Sequence, residues 1–150
     1  MAAHVREQIA VAFVAALTGL ATTGTNVFRE RDTEDRPLQE AELPALLVDD
    51  DGEPAEMTSI GPGRVLQRRM RMRITAHVRA LTGAGTTLNQ ILKEVEIAVA
   101  GITSGAFKYA TITDISAREA AESADQPLMR QSFNFDVLYM TAHNAPDVPL

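Results

Sequence analysis

The sequence predicts an α+β domain in which two helices pack on one face of a largely antiparallel or mixed sheet of long strands. Three stretches, 66–80, 107–117 and 128–141, alternate polar and apolar residues as strands do when one face is buried. Two others, 3–20 and 87–102, repeat apolar residues at helical spacing. Because the helices are separated by groups of strands, we expect an α+β domain with a largely antiparallel sheet. We treat residues 1–142 as one domain and 143–150 as a flexible C-terminal tail.

The first helix is apolar on more than one side, which predicts that it is covered on both. An apolar run after Arg6 is also typical of a secretory signal. Glu7 cancels that charge, and Thr18 and Gly19 interrupt the run, so we favour a packed helix. The run is also shorter than the ~20 apolar residues that span a bilayer.

Short elements come next along the chain. We expect a strand over 25–29, an exposed charged loop over 30–42, and a strand over 43–48. The segment Asp49–Gly52 has the composition of a turn, and 56–60 is a weak strand that ends at Gly61-Pro62-Gly63.

The strand at 66–80 is the longest element predicted. Its even positions are apolar and its odd positions are polar or basic, with Arg68 as the exception. At ~3.3 Å per residue it spans roughly 50 Å. It therefore has an apolar face and an arginine face.

The second half of the chain is predicted to contain one helix and two long strands. A helix begins at Thr87, where Gln90 completes a capping box. The strand at 107–117 is followed by a polar connection over 118–127. The final strand has its apolar face on alternate residues, Phe133, Phe135, Val137 and Tyr139.

The predicted strands are longer than the helices that cover them. A helix of about 16 residues is only ~24 Å long, whereas each long strand is roughly 40–50 Å. The surplus apolar face must bend away, be covered by loops, or be buried by another subunit. This argument predicts a homo-oligomer.

Charge is unevenly distributed along a chain whose net charge is −6. Residues 29–56 contain eleven acids, whereas residues 64–79 contain six arginines and no acid. The two segments face each other either within one molecule or across a subunit boundary, where complementary charge fixes register. The sequence leaves both interpretations open.

The residues of an enzyme or cofactor site are not recognisable in the sequence. The chain has no cysteine, and its glycines and histidines lack the spacing of nucleotide loops or metal ligands. A small enzyme would have to use the scattered residues His77, Asp114 and Asp136, and the two aspartates are better read as ion-pair partners. The arginine row also lacks the interleaved aromatic residues of a nucleic-acid site. We expect no catalysis and no cofactor.

The chain resembles the tail terminator proteins of long-tailed bacteriophages, the lambda minor tail protein U type. The resemblance runs over nearly the whole chain in the order and spacing of its segments: the opening helix 4–20, the strand 27–29, the acidic loop, Leu43-Pro44-Ala45-Leu46-Leu47-Val48 with its acidic continuation 49–53, the arginine strand, the helix 88–100 with Val95-Glu96, and the closing strand 133–141.

The resemblance implies a structural virion protein, assembled in the bacterial host cytoplasm, that forms a hexameric ring on the head-proximal end of the tail tube. The ring stops tube polymerisation and joins the tail to the head connector. Genome DNA passes through it without specific binding, and no membrane is involved. Another neck component, such as a head-completion or stopper protein, is the alternative.

A ring requires heterologous contacts, in which one patch meets a different patch on the next subunit. We therefore expect charged residues of the two segments to contact neighbouring subunits or the tube, and three aspartates to face the hole. The expected contact residues are Arg68, Arg69, Arg71, Arg73, Arg79, Glu30, Asp32, Glu34 and Asp35; the expected lumen residues are Asp49, Asp50 and Asp51.

Overall fold

The computed structural model describes residues 2–123 and 126–150, and only the backbone of 121–123 and 126. No helix in these ranges is long and apolar enough to cross a membrane. The described elements are α1 (Val5–Leu17), β1 (Val27–Arg29), a 3₁₀ helix (Glu40–Glu42), β2 (Ala45–Asp50), β3 (Ala55–Met57), β4 (Val65–Arg79), α2 (Ala84–Ala100), β5 (Tyr109–Ile115), β6 (Glu119–Ser123), β7 (Gln126–Ala142) and β8 (Ala145–Pro149).

The strands form one mixed sheet in the order β1-β2-β4-β7-β5, with β3 beside β4, and β6 and β8 beside β7. Among the described strands, β1 and β2 form the one parallel pair; the other pairs are antiparallel. The long strands β4 and β7 form its centre in unbroken register from Val65 opposite Ala142 to Arg79 opposite Leu128. The predicted α+β fold is confirmed.

Both helices pack on one face of the sheet, which we call the inner face. The even-numbered residues of β4 from Met70 to Val78 are at most 3% exposed. Phe13 of α1 sits among Phe107 and Phe135, at ring-centroid distances of 6.1 Å. The alternation that predicted an apolar face on β4 and β7 therefore correctly located the core.

Two local predictions were wrong. The second helix begins at Ala84 and not at Thr87, because Gly83 adopts a left-handed conformation (φ 85°) as its N-cap. The Thr87 hydroxyl donates to the carbonyl of Gly83 and makes no capping box. The predicted turn at 49–52 is also shorter, since β2 continues through Asp50.

Two segments predicted to lack regular structure contain strands. Within 118–127, residues Glu119–Ser123 form β6, which pairs with the start of β7; residues 124 and 125 lie outside the described ranges. Within 143–150, where we expected a loose tail, Ala145–Pro149 forms β8 against the end of β7. The carbonyl of Asp147 accepts a 2.8 Å hydrogen bond from the Gln8 side chain on α1.

Candidate subunit-interface surface

The face of the sheet opposite the helices, the outer face, contains the predicted arginine row. Cross-strand register places Arg71 opposite Asp136, Arg73 opposite Asn134, and Thr75 opposite Ser132. Asp49 on β2 is opposite Arg73 on its other side. Directly opposed residues share a face, so this surface is a polar lattice of alternating arginines, acids and amides.

The acidic loop covers one end of the outer face of its own molecule. Leu38 is completely buried there and packs with Leu47 and Leu128 in a second small core. The loop predicted to be merely exposed therefore folds back over the last third of β4. His77 lies under this covered end and is 5% exposed. Burial, together with the charge of Arg130, lowers the pKa of His77 to about 4.

Ion pairs within the molecule connect the loop to that end of the sheet. Glu40 pairs with Arg79 at the end of β4. Glu42 pairs with Arg31, whose guanidinium lies 4.6 Å from the ring centre of Phe28. Of the two interpretations left open by the sequence, contact within one molecule therefore holds for Arg79.

The remaining loop acids predicted to contact a neighbour lie at the surface. Glu30, Asp32, Glu34 and Asp35 are all exposed. Glu30 has a left-handed backbone (φ 54°), and its carboxylate is 3.8 Å from Arg29. Asp32 accepts the backbone N–H of Glu34. These acids remain accessible to a partner.

The three consecutive aspartates have three different environments. Burial raises the pKa of Asp49 above its ordinary value, and a backbone N–H of Glu30 donates to its carboxylate. Asp50 pairs with Arg6 at 2.7 Å, and Asp51 pairs with Arg73 at 3.1 Å. Of the three, only Asp51 is exposed, with 48% of its side chain accessible, so it is the one that best fits the acidic surface expected to face a hole.

Arg68 lies on the inner face, which explains why it breaks the alternation of the strand. Its guanidinium is 3.6 Å from the carboxylate of Glu53. The hydroxyl of Tyr139, which is fully buried, donates to both oxygens of that carboxylate at 2.8 and 2.9 Å. Arg6 approaches the same carboxylate at 3.1 Å. Burial raises the pKa of Tyr139 to about 12, so its hydroxyl stays protonated and donates.

This cluster of Glu53, Arg68, Tyr139 and Arg6, the inner cluster, was missed by the sequence reasoning. The interruption of an otherwise regular alternation by Arg68 was the available signal. An arginine at an inward position must be paired if it is buried, so an acid from elsewhere was required. The expected interface role of Arg68 is not carried further, because the residue already joins α1, the 50–54 segment and the sheet.

Arg69 and Arg71 form the uncovered part of the arginine row. Both are exposed, and no acid among the described residues lies within ion-pair distance of either. Arg71 shares an open cavity of about 270 Å³ with Arg73, Asp114, Asn134 and Asp136. Unpaired arginines on a flat strand face are typical of a surface that meets an anionic partner.

The alternative enzyme site is not assembled. Asp136 is opposite Thr111, whereas Asp114 is opposite Asn134 and accepts its side-chain N–H at 3.3 Å. His77 is opposite Arg130, six residues along β7 from Asp136, or roughly 20 Å. Within the described residues, no three His, Asp or Glu side chains are grouped as metal ligands.

The apolar face that the long strands were expected to leave uncovered is buried within the molecule. The inner face is filled by α1 and α2 over most of its length and by the inner cluster at the end where the helices stop. The predicted homo-oligomer must therefore depend on other exposed groups. The large apolar side chains most exposed among the described residues are Ile60, Leu81 and Ile97, at 95%, 65% and 63%.

No protein-family model matches this chain, and no curated protein does. Among solved structures, it is similar to a chain from the virion of a native gene transfer agent particle. The TM-score is 0.45 and the identity is 20%, over 90% of each chain. A likeness at this level carries no argument about function.

Proposed function

We propose that this protein is a structural component of a phage-like virion, a tail terminator that forms a ring on the head-proximal end of the tail tube. Such a ring stops tube polymerisation and joins the tail to the head connector. The observation that carries the proposal is the order and spacing of segments over nearly the whole chain, from the opening helix through the acidic loop and arginine strand to the closing strand.

The geometry supports a role in contacts between proteins. The described part of the chain has a broad, flat outer face with both signs of charge, and its cavities there are open and polar. A small-molecule site is normally concave and mostly apolar, with a few convergent polar groups. A charged flat face is better suited to register and partner choice in an assembly.

Ion pairs within the molecule reduce the number of arginines that are available to contact a neighbour. Arg79 and Arg73 have acid partners in their own chain, whereas Arg69 and Arg71 have none among the described residues. We assign contact with a neighbouring subunit or with the tube to Arg69 and Arg71 on one side, and to the exposed acids of the 30–35 segment on the other. Asp51 is the candidate for the surface of the hole, past which DNA moves without binding.

Electron microscopy of the purified protein mixed with tail tubes tests the proposal. We expect a ring at one end of each tube and no further growth when tube subunits are added. Attachment to the head connector alone, with tube ends bare, would identify another neck component. Tubes that elongate normally in an excess of this protein would refute the terminator role.

A further inference from the structure

The hairpin formed by β3 and β4 ends in an exposed apolar tip. Ile60 is 95% exposed at this tip, and Met57 beside it is 55% exposed. Single exposed apolar residues are common on protein surfaces. A side chain as large as isoleucine at the extremity of a hairpin, however, has its full apolar area available for burial by a partner.

Hydrogen bonds hold the tip in one conformation. The backbone N–H of Thr58 donates to the carbonyl of Val65 at 2.9 Å, and the backbone N–H of Val65 donates to the hydroxyl of Ser59 at 2.8 Å. Gly61 has φ 115°, a conformation that only glycine adopts without strain. A tip that is already ordered loses little conformational freedom on binding.

An apolar cavity lies at the opposite end of β4. It has a volume of about 210 Å³ and is lined by Leu43, Pro44, Val78 and Leu81, among others; we call it the end pocket. An apolar cavity of about 150 Å³ accommodates benzene, so the end pocket has room for the four-carbon side chain of isoleucine. Leu81, at its edge, is 65% exposed.

Charge at the two ends of the strand is complementary. Residues 57–71, from the hairpin tip to Arg71, contain four arginines and no acid. Residues 30–42, which lead into Leu43 and Pro44 of the end pocket, contain six acids and two arginines. Glu40 also lines a neighbouring cavity that shares Leu81. Arg79 lines both cavities and is neutralised by Glu40. The acids of this loop that remain for a basic hairpin end are therefore the exposed ones, Glu30, Asp32, Glu34 and Asp35.

The two surfaces cannot meet within one molecule. Val65, at the base of the hairpin tip, and Val78, in the end pocket, are separated by thirteen residues of continuous strand, or roughly 40 Å. A patch and its complement at opposite ends of a rigid element define a heterologous contact, which generates rings when the rotation closes.

We infer that the hairpin tip of one copy of this chain inserts Ile60 into the end pocket of the next copy, with Arg64 and Arg69 facing that copy's acidic loop. This inference deepens the proposed ring by naming the elements that join its subunits. The occupant is a second copy because both halves of the contact, apolar and charged, are present on the same chain.

Cysteine cross-linking tests this contact directly, because the natural chain has no cysteine. We expect the double variant Ile60→Cys/Leu81→Cys to form disulfide-linked oligomers of increasing size under mild oxidation. Mixing the two single variants should give mainly one cross-linked dimer that contains both. The matched control is Ile60→Cys/Ile97→Cys, because Ile97 on α2 is as exposed as Leu81 (63% against 65%); it should stay largely uncross-linked.

Assembly of the variants gives a second readout. Ile60→Asp should raise the dissociation constant for self-association at least tenfold, whereas Ile97→Asp should leave it within twofold. Rings that persist with Ile60→Asp and give no Ile60–Leu81 disulfide would overturn the inference and leave the terminator role intact. Cross-linked rings that do not cap tail tubes would retain the contact and overturn the terminator role. A chain that stays monomeric and uncross-linked, alone and with tail tubes, would overturn both.

Discussion

Replacing Glu53 by alanine should destabilise the fold more than any other single change at a charged residue that we consider. The carboxylate is 11% exposed and is the common acceptor for Tyr139, Arg68 and Arg6. Its removal leaves the Tyr139 hydroxyl without an acceptor of comparable strength and leaves Arg68, 17% exposed, with a charge that no described acid neutralises.

The magnitude follows from these two losses. A buried hydroxyl left without a partner costs about 1–3 kcal/mol, and removing one member of a buried ion pair costs about 3–5 kcal/mol. Arg6 retains Asp50 at 2.7 Å, and Arg68 is 17% exposed, so the two losses together fall below the ~4 kcal/mol to which the lower ends of these ranges add. We expect a loss of about 3 kcal/mol, out of the ~5–15 kcal/mol typical of a domain.

Urea unfolding measures this loss, at a protein concentration low enough that self-association does not contribute. In thermal unfolding the same loss should lower Tm by roughly 6–12 °C for a domain of this size. The matched control is Glu56→Ala, an exposed acid on β3 with no ion pair among the described residues, which should change stability by less than about 0.5 kcal/mol.

A double-mutant cycle separates the cluster from a general effect of losing charge. Tyr139→Phe alone should cost about 1 kcal/mol, the net value of a hydrogen bond. Combined with Glu53→Ala it should cost less than the sum of the two, because both changes remove the same hydrogen bond. A Glu53→Ala variant as stable as Glu56→Ala would show that water, and not the carboxylate, satisfies Arg68 and Tyr139.

Three further changes probe the covered face, the core and the open face. His77 is buried in its neutral form with a pKa of about 4, below its unfolded value of about 6.5. The free energy of unfolding that neutral His77 contributes is therefore fully present above pH 6.5, and about 3 kcal/mol of it is lost as pH falls toward 4. The variant His77→Gln should remove this pH dependence of the unfolding free energy between pH 6.5 and 4. Phe13→Ala removes a fully buried ring and should cost about 3–5 kcal/mol in denaturant titration, whereas Val11→Ala, on the exposed side of α1, should cost under about 1 kcal/mol. Arg69→Glu with Arg71→Glu should weaken ring assembly most at low salt, measured by sedimentation, whereas the same charge change at Lys93 and Lys108 should not; rings unaffected at every salt concentration would contradict the role of the open arginines.

The sequence was informative where one physical rule decided the structure. Alternation identified β4 and β7 because a strand with one buried face has no other way to place Met70, Met72 or Phe133. Boundaries were less predictable. The helix α2 begins one turn earlier than predicted because Gly83 adopts the left-handed N-cap conformation without strain. The apparent capping pair Thr87 and Gln90 did not indicate this earlier start.

The candidate surface was less predictable than the fold because it depends on which charges find partners across long sequence separations. Glu40 pairs with Arg79, thirty-nine positions away, and Glu53 with Tyr139, eighty-six away. Composition alone showed that residues 29–56 are rich in acids and that residues 64–79 are rich in arginine. The pairing itself required the register of β2, β3 and β7 against β4, which no local pattern specifies.

The residues available for assembly are those left over when this internal pairing is complete. The acidic loop neutralises Arg79 and covers the outer face at that end, which leaves Arg69 and Arg71 exposed in the half of β4 that begins at the apolar hairpin tip. Partial self-neutralisation thus converts two oppositely charged segments into a chain with distinct ends. We expect a chain with complementary ends that cannot reach each other to associate head to tail. The rotation between successive copies would then decide whether the product is a closed ring or an open filament. Cross-linked Ile60→Cys/Leu81→Cys oligomers distinguish these outcomes, because a ring stops at one discrete size in which both cysteines of every subunit are consumed, whereas a filament continues to lengthen with concentration.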